Sequence, residues 1–245
     1  MTRPICLITG ASAGIGAATA TLAAQRGYDV VINYNSDHEG ANRVASEAQA
    51  AGARTRVVQA NVADPEQIAG LYAQVDDFGP LDALVNNAGI VGQTARVTDL
   101  TFDRMRDMFD INVIGAILVA KEAVLRMEKR GAGVIVNTTS AAGRLGSANT
   151  YVDYAASKAA MDIFTKGLSD EVAGSGIRVM GVAPGLIETD IHAKGGDPDR
   201  AQRLASGVPM QRTGSAIEVA QAILWLMSED ASYVTGSTLN VTGGR

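Results

Sequence analysis

Ile5-Cys6-Leu7-Ile8-Thr9-Gly10-Ala11-Ser12-Ala13-Gly14-Ile15-Gly16 is the stretch whose reading decides the fold. Four apolar residues suit a buried strand, and the pattern from Ala17 to Arg26 suits a helix. Strand, glycine turn and helix in that order bring backbone N–H groups and a helix N-terminus to one point, where a pyrophosphate would bind. Gly10 permits the turn, Gly14 admits the phosphates, and Gly16 lets helix and strand approach closely. An ordinary strand–helix turn would use the same glycines, so the rest of the chain has to decide.

Outward from that turn the alternation repeats. Strands are expected at Tyr28–Asn33, Arg54–Ala60, Ala83–Val85, Gly133–Asn137, Ile177–Val182 and Ser237–Val241. Between them lie helices over 37–51, from an N-cap at Asp64 with Pro65 and Gln67 to about Asp77, from a cap at Thr101 through Val124, over 151–173, and from the Ser215/Glu218 capping box to about Ser228. Asn112 sits in the middle of the long helix, where its side chain competes for backbone hydrogen bonds; such a misfit marks a candidate site. A loop is expected over 141–149, and a mobile covering segment over 186–212, with a short helix capped by Asp197-Pro198. Right-handed crossovers then wind one α/β domain over 1–245, a doubly wound parallel sheet of the Rossmann type.

Composition narrows the function. The 245 residues are 47% hydrophobic but only 4% aromatic, which suits a sheet of branched aliphatics covered by alanine-rich helices. A net charge of −5 without a basic stripe argues against nucleic acid as a partner. No apolar run approaches the ~18 residues of a membrane span and no secretory leader precedes the glycine turn, so a soluble cytoplasmic protein is expected. The single Cys6 lies in the first strand and reads as a buried, inert thiol in a reducing compartment. No metal site is expected.

Tyr154 and Lys158 are four apart, hence on one helix face. An ammonium beside a phenol favours the phenolate and makes the tyrosine a better proton exchanger near neutral pH, although a tyrosine lying over a lysine stem has the same spacing. Ser140, at the carboxyl end of the preceding strand, should face the same crevice and can donate to a carbonyl oxygen. Tyr151 lacks a cation at that spacing, since Ala155 follows it by four.

Thr9-Gly10-x-x-x-Gly14-x-Gly16, Asn86-Asn87-Ala88-Gly89, Asn112, Ser140, Tyr154-x-x-x-Lys158 and Pro184-Gly185 together resemble the short-chain dehydrogenase/reductase family, in the branch with 3-oxoacyl-carrier-protein reductases and glucose dehydrogenases. The likeness runs to Tyr233-Val234-Thr235-Gly236 and Val241-Thr242-Gly243-Gly244. It implies hydride transfer between a nicotinamide and a carbonyl or secondary alcohol, with Tyr154 as acid/base, Lys158 lowering its pKa and binding the ribose, Ser140 orienting the substrate oxygen, and Asn112 holding a relay water. It also implies that Gly10, Ser12, Ala13, Gly14, Ile15 and Gly16 hold the phosphates, that Asn61 and Val62 lie near the adenine, that Asn87, Ala88 and Gly89 flank the cofactor, and that Pro184, Gly185, Ile187 and Thr189 cradle the nicotinamide. A homotetramer follows from the same likeness, paired through the helices beginning near Thr101 and Tyr151 and through the last helix and strand.

Cofactor choice turns on Tyr34, Asn35 and Ser36, which stand where an NAD enzyme of this kind carries an aspartate. With no carboxylate there to repel a 2′-phosphate, NADP(H) is preferred, although Ala13 and Asn35 supply no cation and NAD(H) stays usable. His38 reads as surface; His192, Arg96 and Arg144 lie in segments expected to border the pocket, the arginines as receivers of an anionic substrate group or as plain solubilising residues. A dinucleotide-binding sensor or scaffold without turnover is the second reading.

Overall fold

In the computed structural model, which describes residues 3–189, 195–197 and 199–245, Ile5–Ile8 forms β1, and its side chains alternate between two cores. Cys6 and Ile8 join Val30, Ile32 and Tyr34 on one face of the sheet; Ile5 and Leu7 join Val31 on the other. A strand buried on both sides needs apolar residues at every position, which is why β1 reads as an unbroken run.

The strands are β1, β2 (Asp29–Tyr34), β3 (Thr55–Gln59), β4 (Leu81–Asn86), β5 (Gly133–Thr138), β6 (Ile177–Pro184), β7 (Ile187–Glu188), β8 (Gly214–Ser215) and β9 (Thr238–Val241). Seven form one parallel sheet in the order β3-β2-β1-β4-β5-β6-β9. The order reverses between β1 and β4, and that switch point opens a crevice at the carboxyl ends of the two strands.

Helices α1 (Gly14–Gln25), α2 (His38–Ala50) and α9 (Ala216–Met227) cover one face, and α3 (Pro65–Phe78), α5 (Ala116–Met127) and α7 (Val152–Val172) the other. The remaining helices are α4 (Phe102–Phe109), α6 (Ala142–Leu145) and α8 (Arg200–Leu204). Alanines such as Ala20, Ala23 and Ala24, all buried, let the helices lie close to the strands. The doubly wound parallel sheet is the expected architecture.

The caps behave largely as their residues dictate. Asp64 accepts from the N–H groups of Glu66 (2.9 Å) and Gln67 (3.3 Å) ahead of Pro65. Gln67 reaches back to the cap, its Nε2 donating to the Asp64 carboxylate at 2.7 Å, while its side-chain carbonyl takes the Asn61 N–H (2.9 Å) rather than that of Asp64. Ser215 and Glu218 form both halves of their capping box.

Several local expectations are corrected. β2 runs to Tyr34, so that ring lies inside the strand and packs in the core while its hydroxyl meets Nδ1 of the exposed His38 at 2.7 Å. The long helix from Thr101 is broken by a π-helical turn over 110–115, with Asn112 inside it. The 141–149 loop contains α6, because Ala141 and Ala142 begin a turn stopped by Gly146 in the left-handed region at φ +75°. Of the covering segment, Ile187–Glu188 pairs with Gly214–Ser215, and α8 begins at Arg200 without a side-chain cap, so Asp197 does not start it. Leu186, Ala201 and Val208 bury one another there. His192 lies outside the described residues. Among those described, no helix is long and apolar enough to cross a membrane.

Candidate active site

Above the switch point lies a cleft of about 760 Å³. At one end the chain leaves β1 through Thr9 and Gly10, and Thr9 Oγ1 accepts from the N–H groups of Asn87 (2.9 Å) and Ala88 (3.0 Å). Asn87 Nδ2 in turn donates to the carbonyls of Thr9 (3.0 Å) and Gly10 (3.2 Å). These bonds lock the turn after β1 to the turn after β4. Gly10 has φ +62°, and a Cβ there would fall 2.9 Å from Ala88 Cα, so no other residue fits without moving a backbone.

Helix α1 starts beside this turn at Ala13, with no side-chain cap and no acidic residue in its first turn. Its first N–H groups therefore stand open at the cleft rim, where Ser12, Ala13, Gly14 and Ile15 line the wall. An uncapped N-terminus of a twelve-residue helix, with a left-handed glycine on either side of Ser12, fits the pyrophosphate of a dinucleotide. Gly16 does not line the cleft; it packs against Gly10 and Asn87, the helix–strand approach expected of it.

Farther along this end lie Asn35, Ser36, Asn61 and Val62, as expected, but Tyr34 is absent from the wall for the reason given above. Asn33 and Asp37 take part instead and were missed. Asn33 is buried within β2 and donates to the Ala60 carbonyl (3.0 Å), where side-chain type alone gives no sign of a site. Asp37 is the N-cap of α2, accepting from Gly40 N at 2.9 Å, so a carboxylate does stand close to this rim. Opposite it, Arg43 donates to the Ser12 carbonyl at 3.4 Å.

The middle of the cleft gathers side chains from β5, α7 and the π turn. Lys158 is buried and donates to the Thr138 carbonyl at 2.8 Å. Burial lowers its pKa to about 8, partly offset by the charge of Asp162. Tyr154 and Ser140 both line the cleft, and the Ser140 Oγ accepts from Ala142 N at 3.1 Å. The Tyr154 ring meets Tyr151 edge-on, centroids 5.9 Å apart.

The expected effect of Lys158 on this phenol is corrected. Burial pushes the Tyr154 pKa up to about 12, and the nearby Ser140 side chain opposes this only in part. Lysine and tyrosine do share a face, yet the ammonium is drawn to Thr138 and stands 5.8 Å from the ring centroid. In the free protein, desolvation outweighs any pull from the amine.

Asn112 sits behind the cleft wall rather than in it. Its Oδ1 accepts from Ile90 N (2.8 Å), while Nδ2 reaches the Ile90 carbonyl (2.9 Å) and Ser157 Oγ (3.1 Å). Ser157 then donates to the Tyr154 carbonyl at 2.8 Å. The π turn thus places one amide between the loop after β4 and the helix that carries Tyr154 and Lys158. Gly89 keeps the space between them open: a Cβ there would lie 3.1 Å from Asn112 Oδ1 and 3.4 Å from Lys158 Nζ.

Pro184, Gly185 and Ile187 line the wall together with Leu145 and Tyr151, and Thr189 lines it beside Gly14, where a Cβ would lie 3.4 Å from Thr189 Cγ2. Arg96 and Arg144 are not part of the wall; Arg144 is exposed and donates to the Arg245 carbonyl at 3.3 Å. Arg200, Arg203 and Arg245 line it instead, residues that no local pattern singled out.

The family model described as enoyl-(acyl carrier protein) reductase matches residues 10–245. The chain belongs to the short-chain dehydrogenase/reductase family. As a member of it, the protein is an oxidoreductase of CH–OH and C=O groups that uses a nicotinamide dinucleotide. It is 49% identical to an Escherichia coli (strain K12) protein described as uncharacterized oxidoreductase YgfF, over 98% of this chain and 99% of that one. Among solved structures of the family, a 3-ketoacyl-(acyl-carrier-protein) reductase from Brucella melitensis complexed with NADH superposes with a TM-score of 0.91 at 30% identity, covering 99% of this chain and 98% of that one. A short-chain dehydrogenase from Burkholderia cenocepacia J2315 in complex with NADP gives 0.90 at 33% identity, covering 99% and 97%.

Proposed function

We propose that this enzyme reduces a carbonyl, or oxidises the matching secondary alcohol, with Tyr154 exchanging the proton. The observation that carries the reading is that Ser140, Tyr154 and Lys158 line the same cleft, with the ammonium 5.8 Å from the Tyr154 ring centroid. Ser140 donates to the substrate oxygen and orients it. Tyr154, held protonated by burial, gives its proton to the oxygen in reduction and removes it in oxidation. Lys158 lies on the same face and carries the charge that favours phenolate once the site is filled. Asn112 lies across Gly89 from the ammonium and holds the loop at Ile90, beside which a relay water would return a proton through Lys158.

The dinucleotide, when bound, supplies or accepts the hydride at its nicotinamide. Gly10, Ser12, Ala13, Gly14 and Ile15 hold its phosphates, with Gly16 setting their spacing. Asn61 and Val62 contact the adenine, Asn87, Ala88 and Gly89 line the middle, Tyr154 and Lys158 bind the ribose, and Pro184, Gly185, Ile187 and Thr189 cradle the nicotinamide. NADP(H) is preferred and NAD(H) is usable: Asn35 and Ser36 offer neutral donors to a 2′-phosphate, and the Asp37 carboxylate is engaged in capping α2. The segment 186–212 covers the substrate, and the protein works in the cytoplasm.

Oligomerisation belongs to the same proposal. Phe102, Ile114, Leu125 and Ile163 are exposed on α4 to α7, and Trp225 and Leu239 on α9 and β9, which supports a homotetramer assembled through two apolar faces. Light scattering at micromolar concentration should return four times the monomer mass, and a monomer would reject it.

A panel of ketones and alcohols with NADPH, NADH and their oxidised forms tests the function. Tyr154→Phe should lower turnover by about 10² to 10⁴ while cofactor, followed by fluorescence titration, still binds. Undiminished turnover would remove Tyr154 from the acid/base role, and tight cofactor binding without redox on any substrate would favour a sensor.

A further inference from the structure

We propose that the substrate carries an anionic group, a carboxylate in the simplest case, which docks on the guanidinium of Arg200 at the mouth of the cleft. The proposal rests on the oxidoreductase reading above and specifies its substrate class.

Arg200 stands in the first turn of α8 and lines the cleft beside Tyr151. Its Cζ lies 4.8 Å from the centroid of the Tyr151 ring. A cation–ring contact of this kind restrains the guanidinium at small entropic cost and leaves its N–H groups available. Tyr151 is itself buried and packs edge-on against Tyr154, 5.9 Å away. The cation and the proton-exchanging phenol are therefore joined by two ring contacts along one wall.

Charge balance singles out this residue. Arg203, the next arginine on α8, is neutralised by an ion pair with Asp197. Arg200 has no ion pair with a carboxylate among the described residues. Arg245 also lines the cleft, and the carboxylate whose charge reaches the Tyr151 phenol is Asp197, which is already paired with Arg203. Among the described residues that line the cleft, the one acidic side chain is Asp37, at the opposite end beside Asn35 and Ser36. In a chain of net charge −5, a cleft mouth holding a guanidinium against an aromatic ring, with no ion-pair partner among the described residues, is complementary to an anion.

The test uses keto acids paired with their methyl esters, 4-oxopentanoate and 6-oxoheptanoate, so that each pair shares one ketone and differs in charge. The wild-type enzyme with NADPH should favour the acid of at least one pair in kcat/KM. Arg200→Met should reduce that acid-to-ester ratio by roughly tenfold or more, chiefly through KM for the acid, and Arg200→Lys should recover part of it. A ratio unchanged by Arg200→Met, or wild-type preference for both esters, overturns the proposal. Equilibrium dialysis of 6-oxoheptanoate against NADPH-loaded protein gives a readout without turnover: binding should weaken roughly tenfold in Arg200→Met, and equal affinity overturns the anion site. Weakened binding in a protein that reduces none of the ketones would reject the oxidoreductase reading and leave the anion site standing.

Discussion

At the glycine-turn end of the cleft, Thr9 and Gly10 are tied to Asn87 and Ala88 by four hydrogen bonds through half-buried atoms. At the opposite end Leu145 stands 48% exposed, and Ser147 and Asn149 hold left-handed backbone at φ 48° and 58°. The first end is made of the same contacts that join β1 to β4, so it cannot vary without disturbing the sheet. The second is hung on loops whose contacts the core does not need. One fold can thus keep a fixed cofactor seat and change its substrate.

The sharpest way to break this contrast is Gly16→Val. A Cβ at Gly16 would lie 2.6 Å from Asn87 Nδ2 and 3.0 Å from Ala11 Cα, with the Gly10 carbonyl closer still. Denaturant unfolding should show a loss of about 3 kcal/mol or more. A near-native midpoint would mean that the tightness of this end is not structural.

Lys158, between the two ends, sharpens the contrast through pH. Its ammonium titrates near 10.5 when exposed and near 8 when folded, so from pH 8 to 10.5 the unfolded chain binds more protons. Stability from this group is full above 10.5 and is lost as pH falls through 8. Relative to Lys158→Met, the wild-type apo protein should gain roughly 1 kcal/mol between pH 7 and pH 9. Tyr154 acts in the other direction only above pH 10, where unfolding releases a proton that the fold retains up to about 12. A flat difference between the two proteins would show that the ammonium is already solvated.

The smallest effect is expected at the substrate end. Leu145→Ser should change stability by no more than about 0.5 kcal/mol while shifting KM for whichever substrate the enzyme accepts. A loss above about 1 kcal/mol would erase the distinction between the ends.

The same contrast explains what could be read from residues alone. β1, the glycine turn and the Asp64 and Ser215 caps are local, each set by a few neighbouring residues, and they stand where the pattern puts them. Asn112 was legible as a misfit in an amphipathic helix, although the π turn that accommodates it was not. Asn33 and Arg200 were missed because their significance is non-local: Asn33 matters through the Ala60 carbonyl just past the neighbouring strand β3, and Arg200 through an aromatic ring 49 positions earlier in the chain. The direction of the Tyr154 shift was missed for a related reason, since spacing reports proximity along a helix but not how much water burial removes.

The position of Cys6 has a practical consequence. It is the chain's sole cysteine, fully buried in β1, and burial holds its thiol far above the usual range. A maleimide added to the native enzyme therefore finds nothing to alkylate, so Leu145→Cys supplies a single attachment point for a fluorophore at the cleft mouth. Docking of an anion near Arg200 can then be watched optically, one label per chain, with the interior thiol silent.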